Sequence, residues 1–226
     1  MLAFERHSSG ETDRAELAPK SLIVAGWTGR DEKALHHHIE ELAAIGVPRP
    51  SSVPVFYRIS TANLSQAACL EVLGPDTSGE AEPVIVAMQD GLWLGVGSDH
   101  TDRKAETMGI ALSKQLCAKV VGKALWRLDE VASHWDGLIL RAHVTIDGKR
   151  LKYQEGSLLA MRNPSDLMSR AGGAAKFVPG TIMFCGTLGA IGGIRPAAQF
   201  SAVLEDPILG RKMSCEYDVD VLPVVR

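Results

Sequence analysis

The chain has 226 residues, 46% of them hydrophobic and 23% charged, which is typical of a soluble globular protein with a sizeable core. The formal net charge of −3 argues against a nucleic-acid-binding protein, and it gives no reason to expect an anionic membrane as a partner. No apolar window is long enough to cross a bilayer, the N-terminus soon turns polar, and the cysteines are scattered. These features predict a cytoplasmic protein with reduced thiols.

The N-terminal part predicts a hairpin, a buried strand and a helix, in that order. The runs LAFER and ETDRAEL flank the turn-prone SSG, and the apolar SLIVAGW follows as a strand. Residues 31–46 place apolar side chains at helical spacing, with Asp31 as a candidate N-cap and Gly46 as a candidate stop. The proline-rich VPRPSSVP ends this unit, so one domain is predicted, with parts at 1–47 and 54–226.

The rest of the chain is predicted to be mostly β-structure. PVFYRIS, EPVIVAM and LWLGVGS predict strands, and apolar spacing predicts a helix from about Lys104 to Gln115. The pair Asp147-Gly148 between two β-prone runs predicts a tight hairpin, and PSDLMSRA a short helix. GTIMFCGT, QFSAVLED and MSCEYDVDVLPVV predict three more strands. Because strands and helices do not alternate regularly, the predicted class is a β-rich α+β fold rather than a doubly wound parallel sheet.

Three acidic residues near predicted strand ends form a first candidate site. In a strand, Glu80 and Glu82 point to the same face, and Asp99 follows the next apparent strand. Three carboxylates that converge from strand ends suit octahedral Mg²⁺ or Mn²⁺. The alternative is a solvated turn, since Ser78-Gly79 precede Glu80, and the acidic pattern alone favours that alternative.

A histidine run on the predicted helix forms a second candidate site. His38 and Glu41 are three residues apart and therefore neighbours on one helical face, where a carboxylate beside an imidazole can make a water-activating base. Taken alone, the run is better explained as an exposed polar face. A transition-metal site is weaker still, because the consecutive residues His36-His37-His38 diverge around a helix.

A glycine-rich segment and three lysines complete the candidates. Residues 186–193 follow a predicted strand and could bring backbone N–H groups to an anion, but they lack the spacing of dinucleotide and P-loop motifs. A tight structural loop explains them equally well. Lys114, Lys119 and Lys123 lie in locally apolar sequence, where an ammonium facing a pocket would neutralise a carboxylate or an oxyanion. Most lysines are surface residues, so this argument alone assigns none of them a role.

Taken in order from about Gly29 to the last strand, these segments resemble the fumarylacetoacetate hydrolase superfamily, and within it a branch described only as a domain of unknown function. The segments that carry the resemblance are Gly29-Arg30, His38-Ile39-Glu40-Glu41, Pro54-Val55-Phe56-Tyr57-Arg58, Glu80-Ala81-Glu82, Asp99-His100-Thr101-Asp102-Arg103, Lys119, Asp147-Gly148, Gln154-Glu155-Gly156, Pro179-Gly180 and Gly186-Thr187. No single segment is specific, but the ordered set makes the carboxylate triad the favoured site.

The resemblance implies a mixed β-sandwich roll with a few short helices, usually assembled as a homodimer. It also implies a Mg²⁺ or Mn²⁺ ion chelated by a small 2-oxo or β-diketo acid. The metal ligands it implies are Glu80, Glu82 and Asp99. The catalytic residues it implies are His38, Glu41 and Lys119. The substrate-binding residues it implies are Arg58, Arg103, Gln154, Gly186 and Thr187.

Several positions depart from the superfamily pattern and keep more than one function open. Leu188 stands where a proline is usual, Cys185 replaces a threonine, and Lys104 replaces a common aspartate. The favoured hypothesis is acylpyruvate-type C–C bond hydrolysis, with decarboxylation, hydration and isomerisation as alternatives at the same metal site. A different class is a non-catalytic small-molecule-binding protein with a degenerate site. A nucleotide-binding oxidoreductase is suggested by glycine content alone.

Overall fold

The protein is described by a computed structural model that covers residues 1–44 and 49–225. Within that range, five side chains lie outside the description: those of His38, Glu41, Leu42, Ala44 and Ala174. The candidate helix stop Gly46 also lies outside the described residues.

Strands dominate the described chain. They are β1 (Leu2–Ser8), β2 (Glu11–Leu17), β3 (Ser21–Gly26), β4 (Val55–Ile59), β5 (Leu64–Ser65), β6 (Cys69–Leu73), β7 (Thr77–Ser78), β8 (Ala81–Met88), β9 (Gly91–Asp99), β10 (Thr101–Asp102), β11 (Lys119–Val121), β12 (Ala124–Arg127), β13 (Ile139–Ile146), β14 (Lys149–Ser157), β15 (Thr181–Phe184), β16 (Gln199–Asp206) and β17 (Arg211–Leu222). The α-helices are α1 (Glu32–Ala44), α2 (Arg103–Glu106), α3 (Ile110–Leu116), α4 (Leu128–Ala132) and α5 (Pro164–Arg170).

Two large mixed sheets form the framework. The first runs β2-β1-β12-β9-β8-β15-β3-β4, with β11 beside β9 and β5 beside β11. The second runs β14-β13-β16-β17-β6, and β7 pairs with β10 on its own. Most pairings are antiparallel, but β1 with β12, β3 with β15, β5 with β11 and β6 with β17 are parallel. This architecture confirms the β-rich α+β class with few short helices.

The core has two parts because both faces of the first sheet are apolar. One cluster joins the two sheets and includes Leu94, Leu140 and Phe200. The other consists of side chains from the first sheet alone, among them Phe4 and Phe184. A cluster built by a single sheet requires that sheet to curl around it, since apolar surface gains stability only when it leaves water. The first sheet therefore packs against the second sheet on one face, as in a sandwich, and curls around the second cluster on its other face, as in a roll.

Both predicted hairpins are confirmed, and their turn residues explain why. Ser9 and Gly10 have φ values of 52° and 81°, and Asp147 and Gly148 have values of 50° and 72°. Two consecutive positive φ values match the twist of the flanking strands in a two-residue hairpin. Asp31 also caps α1 as predicted, because its Oδ1 accepts hydrogen bonds from the N–H groups at positions 33 and 34.

The helix predicted from Lys104 to Gln115 is two helices, α2 and α3. Asp102 caps α2 by accepting a 2.8 Å hydrogen bond from Ala105 N. The N–H groups of Met108 and Gly109 both donate to Ala105 O, which closes that helix after one turn. A new helix then begins at Ile110. Among the described helices, none is long and apolar enough to span a bilayer.

Candidate metal centre

The predicted carboxylate triad lies where three adjacent strands of the first sheet meet. Glu80 comes immediately before β8, Glu82 lies in β8, and Asp99 ends β9. Asp99 N donates a 2.9 Å hydrogen bond to Glu80 O, which holds the two backbones side by side. Lys119 of β11 is the cross-strand partner of Asp99, and paired side chains share a face of the sheet. The sheet therefore brings three carboxylates and an ammonium group together.

The three carboxylates are close enough to bind one cation. Each offers an oxygen, and these oxygens lie within 4.8 Å of one another. Asp99 is 0% exposed and Glu82 is 2% exposed, whereas the side chain of Glu80 keeps 18% of its surface in contact with solvent. Buried carboxylates need compensating positive charge, because desolvation of an isolated anion is very costly.

Two lysines supply part of that compensation. Lys119 Nζ lies 2.9 Å from Asp99 Oδ1 and donates a 2.6 Å hydrogen bond to His100 O. Lys114 of α3 pairs with Asp99 Oδ2 and lies 3.4 Å from Glu80 Oε2. Asp99 thus has an ammonium group at each oxygen. The sequence alone assigns Lys114 no role. Its side chain reaches the strand ends only because α3 packs beside them, and that packing has no signal in the local sequence.

The charges of the cluster are strongly coupled. Burial alone would raise the pKa of Asp99, but Lys114 and Lys119 outweigh it and lower that pKa from 3.8 to about 2. Burial and the neighbouring Asp99 raise the pKa of Glu82 well above its ordinary value. Burial lowers the pKa of Lys114, but the adjacent carboxylates reverse the effect and hold it above 10.5. Asp99 and Lys114 are therefore both charged at neutral pH.

Arg103 orients Glu80. Its Nη2 lies 3.0 Å from Glu80 Oε1, its Nη1 lies 3.0 Å from Glu106 Oε2, and its Nε donates a 2.7 Å hydrogen bond to Ser78 Oγ. Three fixed partners leave the guanidinium little freedom. Arg103, which the sequence resemblance predicts to bind substrate, therefore fixes the position of Glu80, a candidate metal ligand.

A loop after β15 orients Glu82. Gly186 N donates a 2.7 Å hydrogen bond to Glu82 Oε2. Gly186 has φ of 99°, and a Cβ at this position would lie 1.8 Å from Thr28 Oγ1, so only glycine fits. Gln154 secures the same loop: its Oε1 accepts from Ala81 N at 2.9 Å and its Nε2 donates to Thr187 Oγ1 at 2.7 Å. The Gly186 N–H, which the sequence predicts to bind an anion, thus donates to the carboxylate of Glu82 in the same chain.

A buried hydrogen-bond network lies behind the triad. Ser98 Oγ accepts a 3.2 Å hydrogen bond from Glu80 N and lies 2.8 Å from Tyr217 Oη. Tyr217 Oη lies 2.8 Å from His100 Nδ1, and His100 Nε2 lies 2.9 Å from Thr77 Oγ1. In one proton arrangement, Ser98 donates to Tyr217, Tyr217 donates to Nδ1, and Nε2–H donates to Thr77; in the reverse arrangement, Thr77 donates to Nε2, Nδ1–H donates to Tyr217, and Tyr217 donates to Ser98. A neutral His100 is required for either arrangement.

Comparison with known proteins identifies the family. A family model matches residues 25–217. The chain belongs to that family, which is described as Protein of unknown function (DUF2848). No curated protein matches this DUF2848 chain in sequence.

Solved structures share the fold of this DUF2848 chain at low sequence identity. Yeast ynq8, a fumarylacetoacetate hydrolase family protein, has a TM-score of 0.61 at 14% identity, over 92% of this chain and 95% of its own. A 2-keto-3-deoxy-D-arabinonate dehydratase complexed with magnesium and 2,5-dioxopentanoate has a TM-score of 0.63 at 17% identity, over 91% and 74%. 4-Oxalocrotonate decarboxylase from Pseudomonas putida, complexed with calcium and acetate, has 0.56 at 14%, over 88% and 76%. These likenesses confirm the fold that the sequence resemblance implied.

One predicted substrate-binding residue lies outside this cluster. Arg58 is exposed on the edge strand β4, and its guanidinium donates to Ser21 Oγ. Tyr57, which points to the opposite face, is half-buried; burial raises its pKa, and Lys114 is its strongest charged neighbour. The structure thus places a phenol near the cluster instead of the predicted guanidinium. The side chains of His38 and Glu41 lie outside the described residues, so the proposed dyad stays a prediction.

Proposed function

We propose that this chain is a divalent-metal-dependent enzyme that acts on a small 2-oxo or β-diketo acid. The observation that carries the proposal is the convergence of Glu80, Glu82 and Asp99 within 4.8 Å at the strand ends. Hydrolysis of an acylpyruvate-type C–C bond is the first reaction to test. Decarboxylation, hydration and isomerisation are the alternatives, since they would use the same metal site.

The donor set fits Mg²⁺ or Mn²⁺. Hard divalent cations prefer carboxylate oxygens, and they keep open positions for water or substrate when only a few protein ligands bind them. Asp99 Oδ1 is buried and lies 2.9 Å from Lys119 Nζ, and because a carboxylate oxygen has two lone pairs, this ion pair leaves one of them for a cation. Two of the structural neighbours are complexed with magnesium and with calcium, in agreement with an oxygen-rich site.

The residues around the triad have separable tasks. A bound cation would polarise the oxo group and stabilise negative charge that develops on it. Arg103 and the Gly186 N–H fix the orientations of Glu80 and Glu82, so these ligands are preorganised. Lys119 is 0% exposed and holds Asp99 in its charged form. We propose that His38, oriented by Glu41, activates water for attack on the distal carbonyl.

The substrate class, the oligomeric state and the location in the cell are also proposals. The substrate is expected to be a small carboxylic acid, because an ammonium-rich site with a divalent cation favours an anion. Assembly as a homodimer is proposed from the sequence resemblance to the fumarylacetoacetate hydrolase superfamily, and a cytoplasmic location is proposed from the scattered cysteines and the polar N-terminus. Neither nucleic acid nor a membrane is proposed as a partner.

The test is a calorimetric titration of EDTA-stripped protein with Mn²⁺ and Mg²⁺, with and without oxalate as a 2-oxo acid analogue. Glu82→Gln removes a ligand charge, and Glu71→Gln on the exposed face of β6 is the matched control. With oxalate present, we expect stoichiometric Mn²⁺ binding in the wild type and the control, and its loss in Glu82→Gln. Equal binding by Glu82→Gln and the control would contradict the triad assignment. Acylpyruvates and oxaloacetate would then be screened for turnover.

A non-catalytic binding protein is the second candidate. It is favoured by Lys114, which already compensates Asp99 and Glu80 within the chain. The two candidates separate cleanly: both bind oxalate, but only the enzyme turns over oxo acids in the presence of metal. Oxalate binding without turnover across the acylpyruvate and oxaloacetate panel would favour the binding protein.

A further inference from the structure

The ammonium group of Lys114 lies where a cation would compensate the carboxylate triad. Its Nζ pairs with Asp99 Oδ2 and lies 3.4 Å from Glu80 Oε2. Because the triad oxygens lie within 4.8 Å of one another, a group in contact with two of the three carboxylates takes space that a bound ion would need. Two cations at such short range also repel one another.

The cluster is nearly balanced in charge without any added ion. When all groups are ionised, four carboxylates face three side-chain cations. The carboxylates are Glu80, Glu82, Asp99 and Glu106, and the cations are Lys114, Lys119 and Arg103. A divalent cation would turn the excess of one negative charge into an excess of one positive charge, unless a cation moves away or an anion arrives.

Lys114 is the cation that can leave. Lys119 is fully buried and donates to His100 O, and Arg103 is also held by Ser78 and Glu106. Lys114 keeps 8% of its side chain exposed, and its described polar partners are the carboxylates themselves. Ala111, which lies one turn before Lys114 on the same face of α3, is exposed, so solvent is near. Rotation of its long, flexible side chain withdraws the ammonium without moving a strand.

We infer that Lys114 is an internal counter-ion that competes with the divalent cation. Its ammonium holds the cation position in the metal-free chain, withdraws when Mg²⁺ or Mn²⁺ binds, and then pairs with the carboxylate of an anionic substrate. The inference rests on the proposed function, because it requires the triad to bind metal. It predicts weak metal binding by the protein alone and much tighter binding when a small dicarboxylate is present.

The first experiment compares Mn²⁺ affinity in Lys114→Met with Lys104→Met, which removes the same charge from an exposed position on α2. Without oxalate, we expect Lys114→Met to bind Mn²⁺ roughly tenfold tighter than the wild type, within the usual range of coupling between two sites. The control should match the wild type. Oxalate should strengthen Mn²⁺ binding more in the wild type than in Lys114→Met. If Lys114→Met does not fold, Lys114→Gln takes its place.

The second experiment uses the unaltered chain. Lysines are acetylated with an amine-reactive reagent in EDTA or in saturating Mn²⁺, and the sites are quantified by mass spectrometry. Lys114 should be protected in EDTA and become reactive with Mn²⁺, whereas Lys119 should stay protected and Lys104 reactive in both.

The outcomes separate the two proposals. If the wild type binds Mn²⁺ but Lys114→Met binds it equally or more weakly, or if Lys114 labelling does not change, the counter-ion role is wrong and the metal site stands. If neither protein binds Mn²⁺ with or without oxalate, the proposed function fails and the inference fails with it.

Discussion

Acidification should destabilise the protein through His100, whose imidazole is buried at the end of β9. Burial lowers its pKa from 6.5 to about 3, and the nearby Lys119 and Arg103 act in the same direction. Both ring nitrogens already have partners, Tyr217 and Thr77. A second ring proton would face a hydroxyl that donates to that nitrogen, so the native state resists protonation.

The magnitude follows from linkage between protonation and unfolding. Between pH 6.5 and about pH 3, the unfolded chain binds a proton at this histidine and the native chain does not, so stability falls as pH falls. Lowering the pH from about 7.5 to about 5 should cost about 2 kcal/mol from this residue alone. Below about pH 3 both states are protonated, and the loss levels off.

The assay is urea unfolding in EDTA, followed by tryptophan fluorescence at the two pH values. His100→Gln removes the titrating group and keeps a donor, and His36→Gln on the exposed face of α1 is the matched control. The quantity compared is the loss of unfolding free energy between the two pH values, so an overall change in stability cancels. We expect His100→Gln to lose about 2 kcal/mol less than the wild type and the control. Equal losses in all three proteins would refute the reasoning.

Three further predictions concern the supports of the site and of α1. Gly186→Ala would clash with Thr28 and displace the N–H that binds Glu82, so Mn²⁺ affinity by calorimetry should fall roughly tenfold to hundredfold; unchanged affinity would exclude that role. Tyr217→Phe leaves buried polar partners unpaired and should lower the free energy of unfolding by about 1–3 kcal/mol in urea. Asp31→Ala removes the N-cap of α1 and should cost about 1 kcal/mol in the same assay, where no change would mean that α1 contributes little to global stability.

Local sequence rules predicted much of the fold. The turns at Ser9-Gly10 and Asp147-Gly148 need only a few residues to specify them, so both hairpins were predictable. The break between α2 and α3 was not, because it depends on competing hydrogen bonds at Ala105 rather than on apolar spacing. Pairing of distant strands, such as β6 with β17, has no local signal.

The candidate site was predictable only in part, for a physical reason. Residues two apart on a strand share a face, so Glu80 and Glu82 were expected together. Neighbouring residues on a strand point to opposite faces, and on β4 Tyr57 rather than Arg58 points toward Lys114. The sequence does not show which of two neighbouring residues faces the site. Long-range partners such as Tyr217 were also missed, since 118 positions separate it from Asp99 along the printed sequence.

Tyr217 belongs to the second sheet, whereas Glu82 and Asp99 belong to the first and Glu80 immediately precedes its strand β8. The Tyr217 hydroxyl lies 2.8 Å from the Ser98 Oγ that accepts from Glu80 N, so the support of Glu80 is complete only when the two sheets have packed together. Metal capture would then report on a late event in folding: a chain whose first sheet had formed alone would bind the ion poorly. The time at which the chain begins to bind Mn²⁺ during refolding would then show when the two sheets pack together.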